Sequence, residues 1–203
     1  MIIGIGGKKM SGKDTTAKFF IDKGFIPTSF ADPLKRYVAR LYYWDLADLY
    51  CPIKKEEKLA TPVSWNKHKA EVLGNLINAD KPLDTKTAEF RSKREALQYI
   101  GTEVIRNYDV NFHVNETVKS LNPKNNYVIP DCRFINELNF VKDKGGFTYY
   151  VIRPSLTHQD GHASENALTA TDFDATILND GNLEQLYSKL DILYGKIKEG
   201  RIS

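Results

Sequence analysis

The sequence is poor in cysteine, in net charge and in long apolar runs, and each scarcity removes a class of protein. Cys51 and Cys132 are its only cysteines. They lie far apart, without the paired spacing of a metal site or the framework of a disulfide-stapled scaffold, and read as reduced, incidental thiols. No stretch approaches the roughly eighteen apolar residues of a membrane span, and the N-terminus lacks the basic-then-apolar order of a signal peptide. The expected location is therefore the cytoplasm, with no membrane partner. Lys and Arg total 29 against 26 Asp and Glu, a net charge of only +3. That balance suits anionic small molecules and does not call for nucleic acid. Internal repeats and low-complexity segments are missing as well.

What remains is a chain of 203 residues, 41% hydrophobic and 27% charged, long enough for one domain, or one domain with an inserted lid, around a full core. Its most informative stretch is the first fifteen residues, MIIGIGGKKMSGKDT. Residues 1–5 form an isoleucine-rich run suited to a buried strand. The run breaks into Gly7-x4-Gly12-Lys13, the spacing of a phosphate-binding loop. Glycines there let backbone N–H groups turn inward around phosphate oxygens, the following helix adds positive potential at its N-terminus, and lysine reaches the outer phosphates. Ser11 lies inside this loop. The hydroxyl residue that normally follows the lysine, and ligates Mg2+, is replaced by Asp14, so Asp14, Thr15 or a water must serve the metal. The bland alternative is a glycine-rich turn between strand and helix. A dinucleotide fingerprint fits less well, because Gly4-x-Gly6-x-x ends on Lys9 where a third glycine is needed.

Further along, residues 15–23 continue a helix that Gly24 ends. Residues 25–30 read as a second strand, at an edge because of Pro27. Residues 31–44 read as a helix with Asp32 as N-cap candidate and Pro33 in its first turn. From 45 to 89 the signal fades into short helical pieces broken by Pro52, Pro62 and Pro82, with Lys54-Lys55-Glu56-Glu57-Lys58 as a solvated helix face. Residues 90–108 make a clearer helix with Leu97, Ile100, Val104 and Tyr108 on one face. A short helix near 111–121, strands at 127–130, 147–152 and 175–178, and helices at 135–144 and 183–198 complete the pattern. Strands alternating with helices imply an α/β fold with a parallel sheet covered on both faces.

Ligands of such sheets gather at the carboxyl ends of the strands. After the phosphate loop, those ends carry Asp32, Asp131 with Arg133, Arg153 and Asn179. Asp131 after an apolar strand suits a carboxylate serving Mg2+ from its second sphere, and an ordinary turn aspartate is the competing reading. N-capping alone would account for Asp32. Helix 90–108 bears a polar stripe of Arg94, Gln98, Thr102 and Arg106, which is either a binding face or a solvated one. Gly101 within it costs about 1 kcal/mol relative to alanine and so points to the close approach of a partner or ligand. Residues 153–168, RPSLTHQDGHASENAL, hold His158 and His162 but too few other donors for a metal. Their length and polarity suit a lid over the phosphates, or a plain surface loop. Asn66-Lys67-His68-Lys69 mimics a guanine-specificity motif, but it lacks the aspartate and precedes the sole Asp-x-x-Gly match, at Asp143 to Gly146, the wrong order for a GTPase.

Taken together, SGKDT in the loop, SFADPLK (29–35), ALQYIGTEVIR (96–106), DCRFINE (131–137), HASENAL (162–168) and ILNDGNLEQL (177–186) resemble the bacteriophage deoxynucleoside monophosphate kinases. The resemblance spans most of the chain and is thinnest over 45–89. It implies an NMP-kinase-like P-loop fold, with a five-stranded parallel sheet of order 2-3-1-4-5 flanked by helices, a helical acceptor-binding insertion at about 45–122 and a lid at about 154–170. It implies transfer of the ATP γ-phosphate, with Mg2+, to a deoxynucleoside monophosphate, in the host cytoplasm if the gene is a phage's. By the same resemblance Lys13 holds the β and γ phosphates, with Gly7, Ser11 and Gly12 around them, Asp14 and Thr15 manage Mg2+ with Asp131, and Asp32 sits near the reacting phosphates. Lys35, Gln98, Thr102, Arg106 and Arg133 surround the acceptor, Arg153 stabilises the transferring group, and Asn179 lies near adenine. Dephospho-CoA and phosphomevalonate kinases share the loop, the aspartate near strand two and an arginine-bearing lid, and are the nearest competitors. A P-loop module that binds nucleotide without transferring phosphate is the alternative of another class. The sequence leaves a homodimer open.

Overall fold

Strand β1 (Ile2–Gly7) is buried along nearly its whole length, which places it inside a parallel sheet. The computed structural model describes residues 1–155 and 168–200, and it divides into two compact units, one formed by Met1–Phe30 with Ser120–Ser203 and the other by Ala31–Lys119.

In the first unit β1 leads through the phosphate loop into α1 (Lys13–Asp22) and then β2 (Ile26–Pro27). Gly24, at φ 89°, makes the left-handed turn that ends α1. The second strand is two residues long where 25–30 reads as strand. Pro27 has no N–H to give, which confines it to an edge, although Thr28 N–H still reaches the Val128 carbonyl at 3.0 Å.

The second unit comprises α2 (Asp32–Tyr42), α3 (Leu46–Tyr50), β3 (Lys58–Trp65), α4 (Lys67–Ile77), β4 (Ala88–Ser92), α5 (Lys93–Tyr99), a π turn over Ile100–Ile105, α6 (Arg106–Tyr108) and α7 (Phe112–Val118). Three expectations change here. Residues 45–89 are not purely helical, since β3 pairs antiparallel with β4 in a separate two-stranded sheet. Lys58, Ala60, Thr61, Pro62 and Ser64 of β3 are exposed and its register shifts between Lys58 and Val63, so no clean alternation betrays it. The run 54–58 is not a helix face but turn and bend up to Lys58, which opens β3: the Lys55 carbonyl accepts the Arg94 N–H at 2.8 Å and Glu56 pairs with Arg94 at 2.9 Å. Helix 90–108 begins at Lys93, because Ser92 caps it through Glu95 N–H while Phe90 belongs to β4. Leu34, Leu49, Trp65, Leu73, Ile100 and Ile105 anchor this unit's core.

The chain returns to the first unit with β5 (Tyr127–Ile129), α8 (Ile135–Asp143), β6 (Phe147–Ile152), a short 3-10 turn at Ala170–Asp172, β7 (Ala175–Leu178) and α9 (Leu183–Lys198). The main sheet has the order β2-β5-β1-β6-β7 with every pairing parallel. Counted within that sheet alone, this is the expected 2-3-1-4-5. Ile3 stands opposite Val128 on one side and Phe147 on the other. Ile5, Phe20, Tyr149, Ile177 and Leu190 are buried in one core around it, with Phe20 stacked on Tyr149 at 5.8 Å. Among the described residues no helix is long and apolar enough to cross a membrane.

Candidate active site

The phosphate loop needs backbone that only glycine adopts freely. Gly7 and Gly12 sit at φ 138° and 105°. A Cβ on Gly7 would lie 2.5 Å from the Val151 carbonyl, and one on Gly12 2.5 Å from Asn179 Nδ2. Between them Ser11 N–H closes onto the Lys8 carbonyl at 3.1 Å, and Lys13 Nζ donates to the carbonyls of Gly7 and Lys8, each at 2.7 Å. The lysine cation is thus held at the loop's mouth on the first residue of α1, where helix N–H groups and the macrodipole favour an anion. Asn179 Nδ2 donates to the Ser11 carbonyl at 2.8 Å, so the residue expected near adenine pins the loop. Ser11 Oγ and Thr16 Oγ1 are buried without a partner among the described residues, which marks the loop and first turn of α1 as places where polar groups await bonds. Asp14 is exposed and Thr15 half-buried in that first turn.

At the ends of the neighbouring strands, Asp131 accepts a short hydrogen bond from Ser29 Oγ through Oδ2, while its Oδ1 is buried and unpartnered among the described residues. Arg133 follows at half burial. Its N–H and that of Phe134 both donate to Glu137 Oε2, at 2.7 and 3.2 Å. Glu137 is 1% exposed and fixes the turn carrying Arg133, a role the DCRFINE stretch signals only through a Glu three residues after the cap position. Between Asp131 and Arg133, Cys132 is buried, and burial pushes its thiol well above the usual range, which makes it wall rather than nucleophile. Arg153 is exposed at the end of β6.

The second unit holds the other group. Asp32 is the first residue of α2, and Ala31 occupies the cap position with no side-chain cap bond. Capping therefore does not account for Asp32. Its carboxylate instead accepts from Lys35 Nζ at 3.2 Å, and that ammonium lies 4.1 Å from the Tyr50 ring centroid. Arg94 of the polar stripe is engaged with Glu56, as described above, and takes no part in a continuous binding face. Gln98, Thr102 and Arg106 are half-buried, and Arg106 Nη1 reaches the Val110 carbonyl at 3.4 Å. Four residues overshoot an α-helical turn by about 40°, whereas a π turn holds more residues and reverses that drift. The π turn at 100–105 thus keeps Gln98, Thr102 and Arg106 closer to one direction than an unbroken helix would, and π turns often mark functional sites. Gly101 admits a neighbouring helix rather than a ligand: a Cβ there would lie 2.7 Å from Leu34 Cδ2 on α2.

Most of the expected lid at 154–170, with His158, His162 and most of HASENAL, lies outside the described residues. Among the described residues, no group of three or more His, Cys, Asp or Glu side chains could hold a metal ion. Mg2+ is commonly bound through one or two carboxylates together with substrate phosphates, and the unpartnered Asp131 Oδ1 beside the loop fits that manner of binding.

By sequence the chain is similar to one family. Residues 54–190 match the family model described as deoxynucleotide monophosphate kinase. A putative deoxynucleotide monophosphate kinase of Acanthamoeba polyphaga mimivirus is 31% identical over 94% of this chain and 94% of its own length. The deoxynucleotide monophosphate kinase of Enterobacteria phage T4 is 26% identical over 93% of this chain and 96% of its own, and that of Escherichia phage RB69 27% identical over 94% and 98%.

Proposed function

Because the chain belongs to the deoxynucleotide monophosphate kinase family, we propose that it transfers the γ-phosphate of ATP to a deoxynucleoside monophosphate, giving the diphosphate and ADP. The observation that carries this reading is the phosphate loop itself, with left-handed glycines at both ends and Lys13 held over its mouth. No covalent intermediate is needed. An oxygen of the acceptor phosphate, already anionic at neutral pH, attacks the γ-phosphorus as the bond to the bridging β–γ oxygen breaks, and ADP departs with that electron pair. Catalysis is then alignment and charge neutralisation.

Gly7, Ser11, Gly12 and Lys13 bind the ATP phosphates, and Asn179 supports them through the loop. Mg2+ would arrive with ATP, held by Asp131 with Asp14 or Thr15, and would supply positive charge at the transferring group. Lys35, Gln98, Thr102, Arg106 and Arg133 serve the acceptor, the arginines because a planar fork can hold two phosphate oxygens at once. Asp32 orients Lys35, and Arg153 offsets charge on the moving phosphoryl group.

A coupled ADP assay over the common deoxynucleoside monophosphates, their ribose counterparts, dephospho-CoA and phosphomevalonate tests the reading. ADP formation should rise well above the ATP-only rate with at least one deoxynucleotide. A rise with dephospho-CoA or phosphomevalonate alone would transfer the assignment to those kinases, and no acceptor dependence would leave a nucleotide-binding module.

A further inference from the structure

We propose that Ser29 is a positioning residue for the metal–nucleotide complex, acting through Asp131. The inference rests on the kinase reading above. Strands β2 and β5 run parallel, with Ile26 opposite Tyr127 and Pro27 opposite Val128, and the pairing extends to the Thr28 N–H on the Val128 carbonyl. Continuing that register by one residue brings Ser29 beside the carboxyl end of β5, where its hydroxyl donates to Asp131 Oδ2. The other carboxylate oxygen is buried and has no partner among the described residues.

This asymmetry is informative. A buried carboxylate oxygen without a partner is costly and normally marks a bond made to something else. One oxygen tied to a hydroxyl fixes the rotamer, so the free oxygen keeps one direction. A neutral donor does this without cancelling the carboxylate charge, as a lysine or arginine in the same place would. Carboxylates that serve metals are commonly held by such an outer hydrogen bond, and loss of it costs about 10- to 100-fold in metal affinity or activity. The structure thus assigns to Ser29 the aiming of Asp131 Oδ1 toward the water shell of Mg2+ on ATP.

The test compares wild type, Ser29→Ala, Ser29→Thr, Asp131→Ala and the Ser29→Ala/Asp131→Ala double variant. Calorimetric titration with ATP in EDTA and with ATP plus Mg2+ gives binding without turnover, and the Mg2+ concentration for half-maximal activity is read separately. Ser29→Ala should weaken Mg·ATP binding about tenfold and raise the Mg2+ requirement while metal-free ATP binds as before. Ser29→Thr, which keeps the hydroxyl, should restore most of the loss. In the Asp131→Ala background, removing the Ser29 hydroxyl should cost nothing further. An unchanged Mg2+ requirement in Ser29→Ala overturns the proposal, as does equal weakening of ATP with and without Mg2+, or full additivity with Asp131→Ala. If instead the wild type passes no phosphate to any monophosphate, the kinase reading fails, whereas a wild type that turns over normally beside an unaffected Ser29→Ala sinks this inference alone.

Discussion

In the proposed reaction Lys13 brings positive charge to the transferring phosphate, and its two carbonyl contacts at 2.7 Å hold the ammonium at the loop. Lys13→Met should lower turnover about a thousandfold, since a preorganised charge facing the transition state contributes on that order. Steady-state rates on a variant shown by circular dichroism to be folded would check it. Asn179 separates two roles. Because its amide is bonded to the Ser11 carbonyl, Asn179→Ala should raise the KM for ATP roughly tenfold, the worth of one hydrogen bond of about 1.4 kcal/mol, and should do the same for GTP. A change in the ATP to GTP preference, measured as the ratio of kcat/KM, would instead place Asn179 at the base. At this scale the loop could be read from its glycine and lysine spacing, because positive φ and phosphate contact restrict residue choice severely. Ser29 and Glu137 could not, since each acts through a partner distant in sequence or in a turn whose geometry only the fold supplies. For Asp32 the sequence offered a cap, and the start of α2 one residue earlier removed that explanation.

The elements differ in how openly they declare themselves. Strands β1 and β6 stand where hydrophobic pattern puts them, because buried parallel strands are apolar runs, and the edge strand β7 and the helix α9 also fall on their expected residues. The β3–β4 pair is hidden in the sequence, since α4 separates its two strands, Pro62 interrupts β3 and its register shifts between Lys58 and Val63. The π turn left only Gly101 as a trace. Two glycines that look alike in sequence should therefore respond oppositely to alanine. Gly74→Ala, whose added Cβ would meet only Ala79 Cβ at 3.8 Å, should stabilise the protein by about 0.5–1 kcal/mol through helix propensity. Gly101→Ala should destabilise it by about 1–2 kcal/mol, overpacking Leu34 by more than the helix gains. Urea unfolding of both variants gives the signs. The start of α5 is also tied to α3 electrostatically: hydrogen bonds from Lys93 and then Lys54 hold the Asp48 carboxyl below its ordinary range, Lys54 at 2.9 Å. A carboxyl whose pKa is lower folded than unfolded stabilises fully above the unfolded value near 4 and loses that contribution as pH falls through the folded value. Asp48→Asn should thus lower stability at pH 7 relative to wild type, with the gap closing in acid below about pH 4. Urea midpoints of the pair across pH 2.5–7 would show it, and a gap independent of pH would contradict it.

On the scale of the whole molecule, each unit has its own core. One is built from chain segments on either side of residues 31–119 and carries the phosphate loop, and the other is a single continuous stretch carrying Asp32, Lys35, Gln98, Thr102 and Arg106. The alternation of strands and helices made the first unit legible because a parallel sheet demands crossover helices. The second has no such rule to obey, and its mixture of short helices, turn and a two-stranded sheet follows from packing around Trp65 and Ile100 rather than from local pattern. As a member of its family this molecule moves a phosphoryl group from ATP to a nucleotide monophosphate. Incubation of the full chain with Mg2+, γ-32P-labelled ATP and each deoxynucleoside monophosphate, followed by separation of the nucleotides, tests it most directly. Label should appear in a deoxynucleoside diphosphate, in amount equal to the ADP formed, and Lys13→Met should lower its rate of appearance about a thousandfold. Label recovered only as inorganic phosphate, or ADP formed at the same rate without acceptor, would contradict the account.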